Sequence, residues 1–326
     1  VQEAIPPPLG KTGLLANNPM KSAHMNWHSQ VRQRRTTLIS PNEHTPSNSQ
    51  AVMLASRQLP TDSPYILPWN TEEVNRLDFQ HHLLRQAMSG NYRAPLKRPK
   101  NILDVGCGTG RWAQEMAQAF SDANVIGLDI FDPPVEVNAS TKPSNYQFVM
   151  ADVLKGLPFS PYQFDFVHQR SLSYVIPTPR WLQVVNELVR VTRPGGMIEL
   201  VEPDNTFQNA GPACTQIQKW IIDACRKCGI DPVEATQIGA YLQVTGLLNV
   251  TTETITLPVG QWGGRQGSST ATNMRAACLA MKPLVLQHLD VNSEEYDRLL
   301  EEMFRECEQL QSCIAIHVAY GQRPYR

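Results

Sequence analysis

The chain carries no surplus of charge. Its 326 residues hold 29 Lys and Arg against 30 Asp and Glu, a formal net charge of −1, so no global field draws it to nucleic acid or to an anionic membrane. It also has no apolar run long enough to cross a bilayer, and its first residues, VQEAIPPPLG, have neither the basic nor the apolar region of a signal peptide. The expected setting is cytoplasmic, without nucleic acid or membrane as a partner. A disulfide framework is missing too, because seven cysteines at irregular spacing read as reduced thiols. Cys225 and Cys228 form a CxxC, yet no second pair completes a closed zinc site, so buried helix thiols and no metal are expected. The longest basic run, VRQRR at Val31–Arg35, reads as a solvated tail.

What the chain does have is an ordinary apolar content of 41%, enough to bury a full core. Residues 1–64 are rich in Pro, Asn, Ser, Thr and Gln with no sustained apolar period, and read as a flexible or loosely docked arm. That arm is a candidate surface for homo-oligomerisation. Asn70 or Thr71 can cap a helix over about 71–89, with Glu72 and Glu73 in its first turn and Val74, Leu77 and Leu84 along one face. Beyond it, short β-rich runs at 101–106, 124–130, 146–152, 164–168 and 196–202 alternate with helical patterns near 110–120 and 179–193. Such alternation predicts a parallel sheet covered on both faces. Helical stretches at about 212–228 and 234–246 follow, then a β run at 247–259, a helical insertion at about 269–311 and a last run at 314–322. The insertion interrupts what would otherwise be a hairpin, which suits a substrate cover.

The string ILDVGCGTGRW at 102–112 places Gly106, Gly108 and Gly110 at alternate positions behind an apolar run. A dinucleotide-binding turn would want G-x-G-x-x-G, and the place of its third glycine is taken by Arg111. The loop therefore suits a cofactor without a pyrophosphate, with Asp104 placed to meet a cationic amine or to hold the loop that does. Asp129 ends the next strand 21 residues after Gly108, where a carboxylate can take both hydroxyls of a ribose. Asp152, after the third strand, is either a turn residue or an acceptor for the exocyclic amine of an adenine packed between Ile130 and Val153. An NAD-dependent oxidoreductase would share the strand order and Asp129, but not the glycine spacing.

With these glycines and acidic positions, and RVTRPGGMIELVEP at 190–203, residues 65–326 resemble the class I S-adenosylmethionine-dependent methyltransferases. YILPWNTEEVNRLDFQHHLLR, WGGR at 262–265 and HVAYGQRP near the end resemble the LaeA-like branch of fungal and bacterial methyltransferases of secondary metabolism. The resemblance implies an α/β fold: a seven-stranded Rossmann-like sheet with a helical lid insertion and an N-terminal helical cap, substrate-covering helices lying at about 71–89, 212–246 and 269–311. It implies S-adenosylmethionine as cofactor and S-adenosylhomocysteine as product. It also implies a cofactor site built from Tyr65, Arg76, Gln80, Asp104, Gly106, Cys107, Gly108, Gly110, Asp129, Ile130, Asp152, Val153 and Gln169.

Several reaction classes are disfavoured. After the fourth strand the chain reads HQRSLSYV, without the Pro-Pro-aromatic motif of base-amine methylation or the double glutamate of arginine methylation. Asp204 and Asn205 are similar to the metal pair of catechol-type enzymes but lack the further carboxylate that such a site needs. His168 has two readings: a proton acceptor beside the transferred methyl, or a histidine held by backbone or cofactor. Glu202 and Asp204 share that ambiguity. Trp220, Tyr241 and Trp262, with Met274 and Met281, are apolar enough to line a substrate pocket. The sequence thus predicts methyl transfer to carbon, nitrogen or oxygen of a small, largely apolar natural product such as an indole or terpenoid. A regulatory protein that keeps the fold and acts through protein partners is the alternative.

Overall fold

The computed structural model describes residues 66–133 and 142–325. The expectations for the arm, including its role in oligomerisation, and for Tyr65 lie outside the described residues. Helix α1 (Thr71–Ala87) starts where Asn70, in an extended conformation, accepts a hydrogen bond from Glu73 N at 2.9 Å, and Glu72 and Glu73 complement the helix dipole. Then come β1 (Asn101–Val105), α2 (Arg111–Ala119), β2 (Asn124–Asp129), β3 (Tyr146–Met150), β4 (Phe164–Arg170), α3 (Trp181–Val191) and β5 (Thr192–Gln208). The remaining elements are α4 (Pro212–Lys227), α5 (Ile238–Val244), β6 (Leu248–Pro258), α6 (Gly264–His288), α7 (Ser293–Gln309) and β7 (Cys313–Gln322).

The strands form one seven-stranded sheet in the order β3-β2-β1-β4-β5-β7-β6. The first five run parallel, and β7 lies antiparallel between β5 and β6. This is the expected Rossmann-like methyltransferase sheet. The chain works outward from β1 to β3 and returns to β4, so the order reverses between β1 and β4, and a ligand crevice opens at their carboxyl ends. Two details differ from the sequence reading. The insertion starts earlier than expected and consists of two helices, broken at 289–292 where Asn292 caps the second by accepting from Glu295 N at 2.7 Å. Helix α5 is only seven residues long, because Pro232 opens a 3-10 segment over Pro232–Gln237 ahead of it.

Three apolar clusters hold the sheet. One face packs Leu103, Val105, Val167, Ile198 and Leu200 under α3 and α5. The opposite face carries Trp112 and Met116 of α2 over Ile102, Val125 and Phe166. Further along, α4, α6, α7 and the end of α1 pack over Val201, Leu257, Ile314 and Ile316. No helix among the described residues is long and apolar enough to cross a membrane.

Candidate active site

The loop from β1 to α2 turns through Gly106, Gly108 and Gly110, whose φ values are +69°, +55° and +76°, a left-handed region in which a side chain is strained. A Cβ on Gly108 would meet nothing nearer than Leu77 of α1 at 3.8 Å, so this stretch of backbone lies open to a ligand. Its N–H donates to Asp129 Oδ2 at 2.8 Å, which ties the loop to the end of β2. Burial pushes the Asp129 carboxyl up to about 6, against the pull of backbone hydrogen bonds from Gly108, Phe131 and Ile130. The carboxyl would return to its charged form on receiving the two hydroxyls of a ribose.

Helix α1 is fastened over this loop. Asp78 accepts from Thr109 Oγ1 at 2.6 Å and from Arg111 Nη2 at 2.7 Å. The arginine that occupies the dinucleotide pattern's third glycine position is thus half of a clamp whose other half, Asp78, sequence reasoning missed. Trp69 and Phe131 were also missed; they stack with centroids 5.0 Å apart and both line the cavity.

That cavity is shared by the glycine loop and a largely apolar set of side chains. One end is formed by Arg76, Gln80, Gly106, Gly108 and Asp129. The other is an apolar chamber whose walls include Ile217, Ile221, Leu257, Met274, Met281 and Ile316. Between them lie Arg170 to Val175 from the turn after β4, a turn fixed by Glu202, which accepts from Leu172 N and Ser173 N at 3.0 Å each. Burial pushes the Glu202 carboxyl up to about 7. Asp204 also lines the cavity; burial raises its carboxyl, but hydrogen bonds from His317, at 3.3 Å, and from Thr206 prevail and hold it low. The paired ends fit an adenosine bearing an amino-acid chain beside a second, apolar molecule.

His168 does not stand in this cavity. Its ring lies flat on Trp112, 3.8 Å between centroids and 4° between planes, and its Nδ1 donates to Asp104 Oδ1 at 2.9 Å. The parallel register sets Asp104 opposite His168 and His168 opposite Glu199, a polar row beneath α2 rather than at the crevice. Burial lowers the His168 pKa, only partly countered by Asp104. Three aromatic positions also need correction. Trp220 stacks on Tyr296, Tyr241 stacks on Trp181 with its hydroxyl on Glu234 at 2.6 Å, and Trp262 binds Val259 O through Nε1 at 3.1 Å. None lines the cavity, whose aliphatic wall comes from a neighbouring face of α4 and from Met274 and Met281.

Of the residues assigned to the cofactor, Arg76, Gln80, Gly106, Gly108 and Asp129 come together at the cavity wall. Arg76 is also paired with Glu73 at 2.6 Å. Asp104, Cys107, Gly110, Gln169, Ile130, Asp152 and Val153 are not among the residues that line it. Asp152 accepts from Leu154 N at 2.9 Å, which is the turn role. Among the described residues, His81, His82 and Glu115 bring ligand-type atoms within 4.8 Å of one another. Arg170 Nη2, which has no lone pair, lies 3.0 Å from His81 Nδ1, so that nitrogen accepts and Nε2 carries the proton, 3.2 Å from Glu115 Oε1. Nδ1 is thus engaged by Arg170, while Nε2 lies within ion-pair distance of Glu115 without a hydrogen bond.

Residues 102–196 match the methyltransferase domain family. The chain is 27% identical to the N-methyltransferase verN of Clonostachys rogersoniana over 86% of its own length and 99% of that protein. It is 30% identical to the secondary metabolism regulator laeA of Gibberella zeae over 68% of its own length and 75% of that protein. Among solved structures it matches phosphoethanolamine N-methyltransferase 2 of Haemonchus contortus with a TM-score of 0.47 and 18% identity, over 80% of this chain and 54% of that one.

Proposed function

We propose, from the premise that this chain belongs to the class I S-adenosylmethionine-dependent methyltransferases and is related to enzymes and regulators of fungal secondary metabolism, that its acceptor is a small, largely apolar natural product. The observation that carries this reading is the chamber of Ile217, Ile221, Leu257, Met274, Met281 and Ile316, continuous with the glycine loop. Such walls gain by excluding water from an apolar ligand. Nitrogen is the favoured acceptor atom, because verN is named an N-methyltransferase; oxygen and carbon are the other outcomes.

The cofactor supplies a methyl group on a positively charged sulfur. The glycine-loop backbone and Asp129 hold its adenosine, while Arg76 and Gln80 on α1 close over it. Helices α1, α4, α6 and α7 keep water out and align the acceptor, which is the main contribution a protein can make to such a transfer. His168 is not on the cavity wall, so a proton lost by the acceptor passes to another group, and the ionised Asp204 on that wall is placed to take it.

The test is incubation of the purified protein with methyl-labelled S-adenosylmethionine and a panel of indoles and terpenoids bearing N–H or O–H groups. Label is expected in an organic-soluble product. Label entering only protein would overturn the small-molecule reading. A second reading, regulation through protein partners, is favoured by the match to laeA; it expects partner binding to persist when Asp129→Asn weakens the cofactor.

A further inference from the structure

Asp204 lines the cavity from β5, and its register partner on β7, Ala315, stands between Ile314 and Ile316 of the chamber wall. Among the described residues two acidic side chains line this cavity, Asp129 and Asp204. Asp129 is tied to the glycine loop, so Asp204 is the carboxylate left for the acceptor.

The sheet holds this carboxylate from outside the cavity. His317 of β7 pairs directly with Glu202 of β5 and with Thr254 of β6, and Asp204, two residues beyond Glu202, keeps the same face. Three adjacent strands thus bring Asp204, His317 and Thr254 into one row, of which Asp204 alone lines the cavity. An ionised carboxylate only accepts, so His317 Nε2 carries the proton that meets Asp204 Oδ2 at 3.3 Å, and Nδ1 accepts from Thr254 Oγ1, also at 3.3 Å. Thr206 N donates to Asp204 Oδ1 at 2.8 Å. These two bonds fix the plane of the carboxylate and take two of its roughly four acceptor sites. The Asp204 side chain keeps 11% of its surface open, so the remaining sites can be reached.

A carboxylate beside apolar walls is costly unless a donor meets it, and a cationic donor meets it best. We propose that the acceptor is an amine, received through its N–H by Asp204, with His317 as the positioning residue that orients the carboxylate. This rests on the reading of a small apolar acceptor above and names the chemical class that such an acceptor belongs to. The amine nitrogen attacks the methyl carbon with its lone pair; a C–N bond forms as the S–C bond breaks, and the electron pair of the broken bond neutralises the sulfonium. The proton that the nitrogen sheds passes to Asp204, and from there to solvent as the product leaves.

The experiment is calorimetric titration, at pH 7.5, of the protein saturated with S-adenosylhomocysteine. The probes are tryptamine, an apolar indole ending in an ammonium, and 3-propylindole, which carries a methyl group in its place. Wild type should bind tryptamine about 10–100-fold more tightly than 3-propylindole, the range expected of a charge-assisted pair. Asp204→Asn should bind the two nearly alike and keep the wild-type affinity for 3-propylindole. His317→Leu should lose part of the preference, and His317→Gln, which keeps an N–H, should retain more of it. A merely structural role for His317 would weaken both probes together. Wild type binding tryptamine no more tightly than 3-propylindole would overturn the proposal without any variant. So would Asp204→Asn keeping the wild-type preference, which would assign the amine to another group. Should Asp204→Asn lose both probes, the His317 variants decide, and an unchanged preference in His317→Leu would overturn the dyad. Failure of both probes to bind wild type would strike at the reading of a small apolar acceptor itself.

Discussion

His168 shows how depth along a strand decides the fate of a residue near a crevice. Its side chain leaves the sheet against Trp112 of α2, and Arg170, on the same face but two residues nearer the strand's carboxyl end, is the one that reaches the ligand space. His168→Asn should therefore act on the fold. It removes the stacking surface and weakens the hold on a buried Asp104 carboxylate, a loss of roughly 1–3 kcal/mol that thermal unfolding would read, and it should leave the shape of the pH–rate profile unchanged. A selective fall in kcat, recovered at high pH, would return His168 to the chemistry. Asp129 belongs at the other pole. Its carboxyl, raised to about 6 by burial, must be ionised to receive hydroxyl donors, so affinity for S-adenosylhomocysteine should be full above that value and fall as pH drops through it. Asp129→Asn should bind about 10–100-fold more weakly at pH 7.5 and show no such slope; a wild-type affinity independent of pH between 5 and 7.5 would contradict this.

At the scale of elements, the glycine loop is where geometry is least forgiving. Gly110 begins α2 at φ +76°, and a Cβ there would stand 2.5 Å from the hydroxyl oxygen of Tyr146 in β3. Gly110→Ala should cost about 1–2 kcal/mol for the backbone alone and more for the contact. Adding Tyr146→Phe should recover the contact part and leave the backbone part, a split that denaturant titration of both variants would measure; full recovery would mean that the left-handed turn carries no strain. This loop was legible in the sequence because glycine spacing encodes backbone shape directly. Asn70 was legible as a cap for the same local reason. The chamber was not, since Trp220, Tyr241 and Trp262 satisfy the same composition as true lining residues, and only the packing of α4, α6 and the β6–β7 pair decides which face looks inward. Asp78 and Arg170 escaped because their partners, Arg111 and His81, are distant in sequence and carry no motif.

For the molecule as a whole, buried carboxyls set a pH dependence of opposite sign to that of an ordinary salt-bridged protein. Glu199 and Glu202 fasten two loops to β5 through backbone N–H groups, and burial pushes each carboxyl up to about 7. A group whose value is higher in the folded than in the unfolded chain holds more protons when folded, so stability rises as pH falls through that value. His81, lowered to about 4 by burial and by Arg170, and His168, lowered by burial, oppose this below about 6.5, where the unfolded imidazole protonates. The cofactor-free protein should gain ~1 kcal/mol between pH 8 and 6.5, a rise of roughly 2–4 °C in Tm. The Glu199→Gln, Glu202→Gln double variant should flatten that rise, and a wild-type Tm that climbs from pH 6.5 to 8 would refute the account. Strands β6 and β7 pair with each other up to Pro258 and Cys313, although α6 and α7 lie between them in sequence. The polypeptide departs from the sheet and rejoins it at adjacent points, so the intervening helices amount to an exchangeable cassette. Changes within 259–312 would alter the chamber wall at Met274 and Met281 while leaving the glycine loop and the strands untouched.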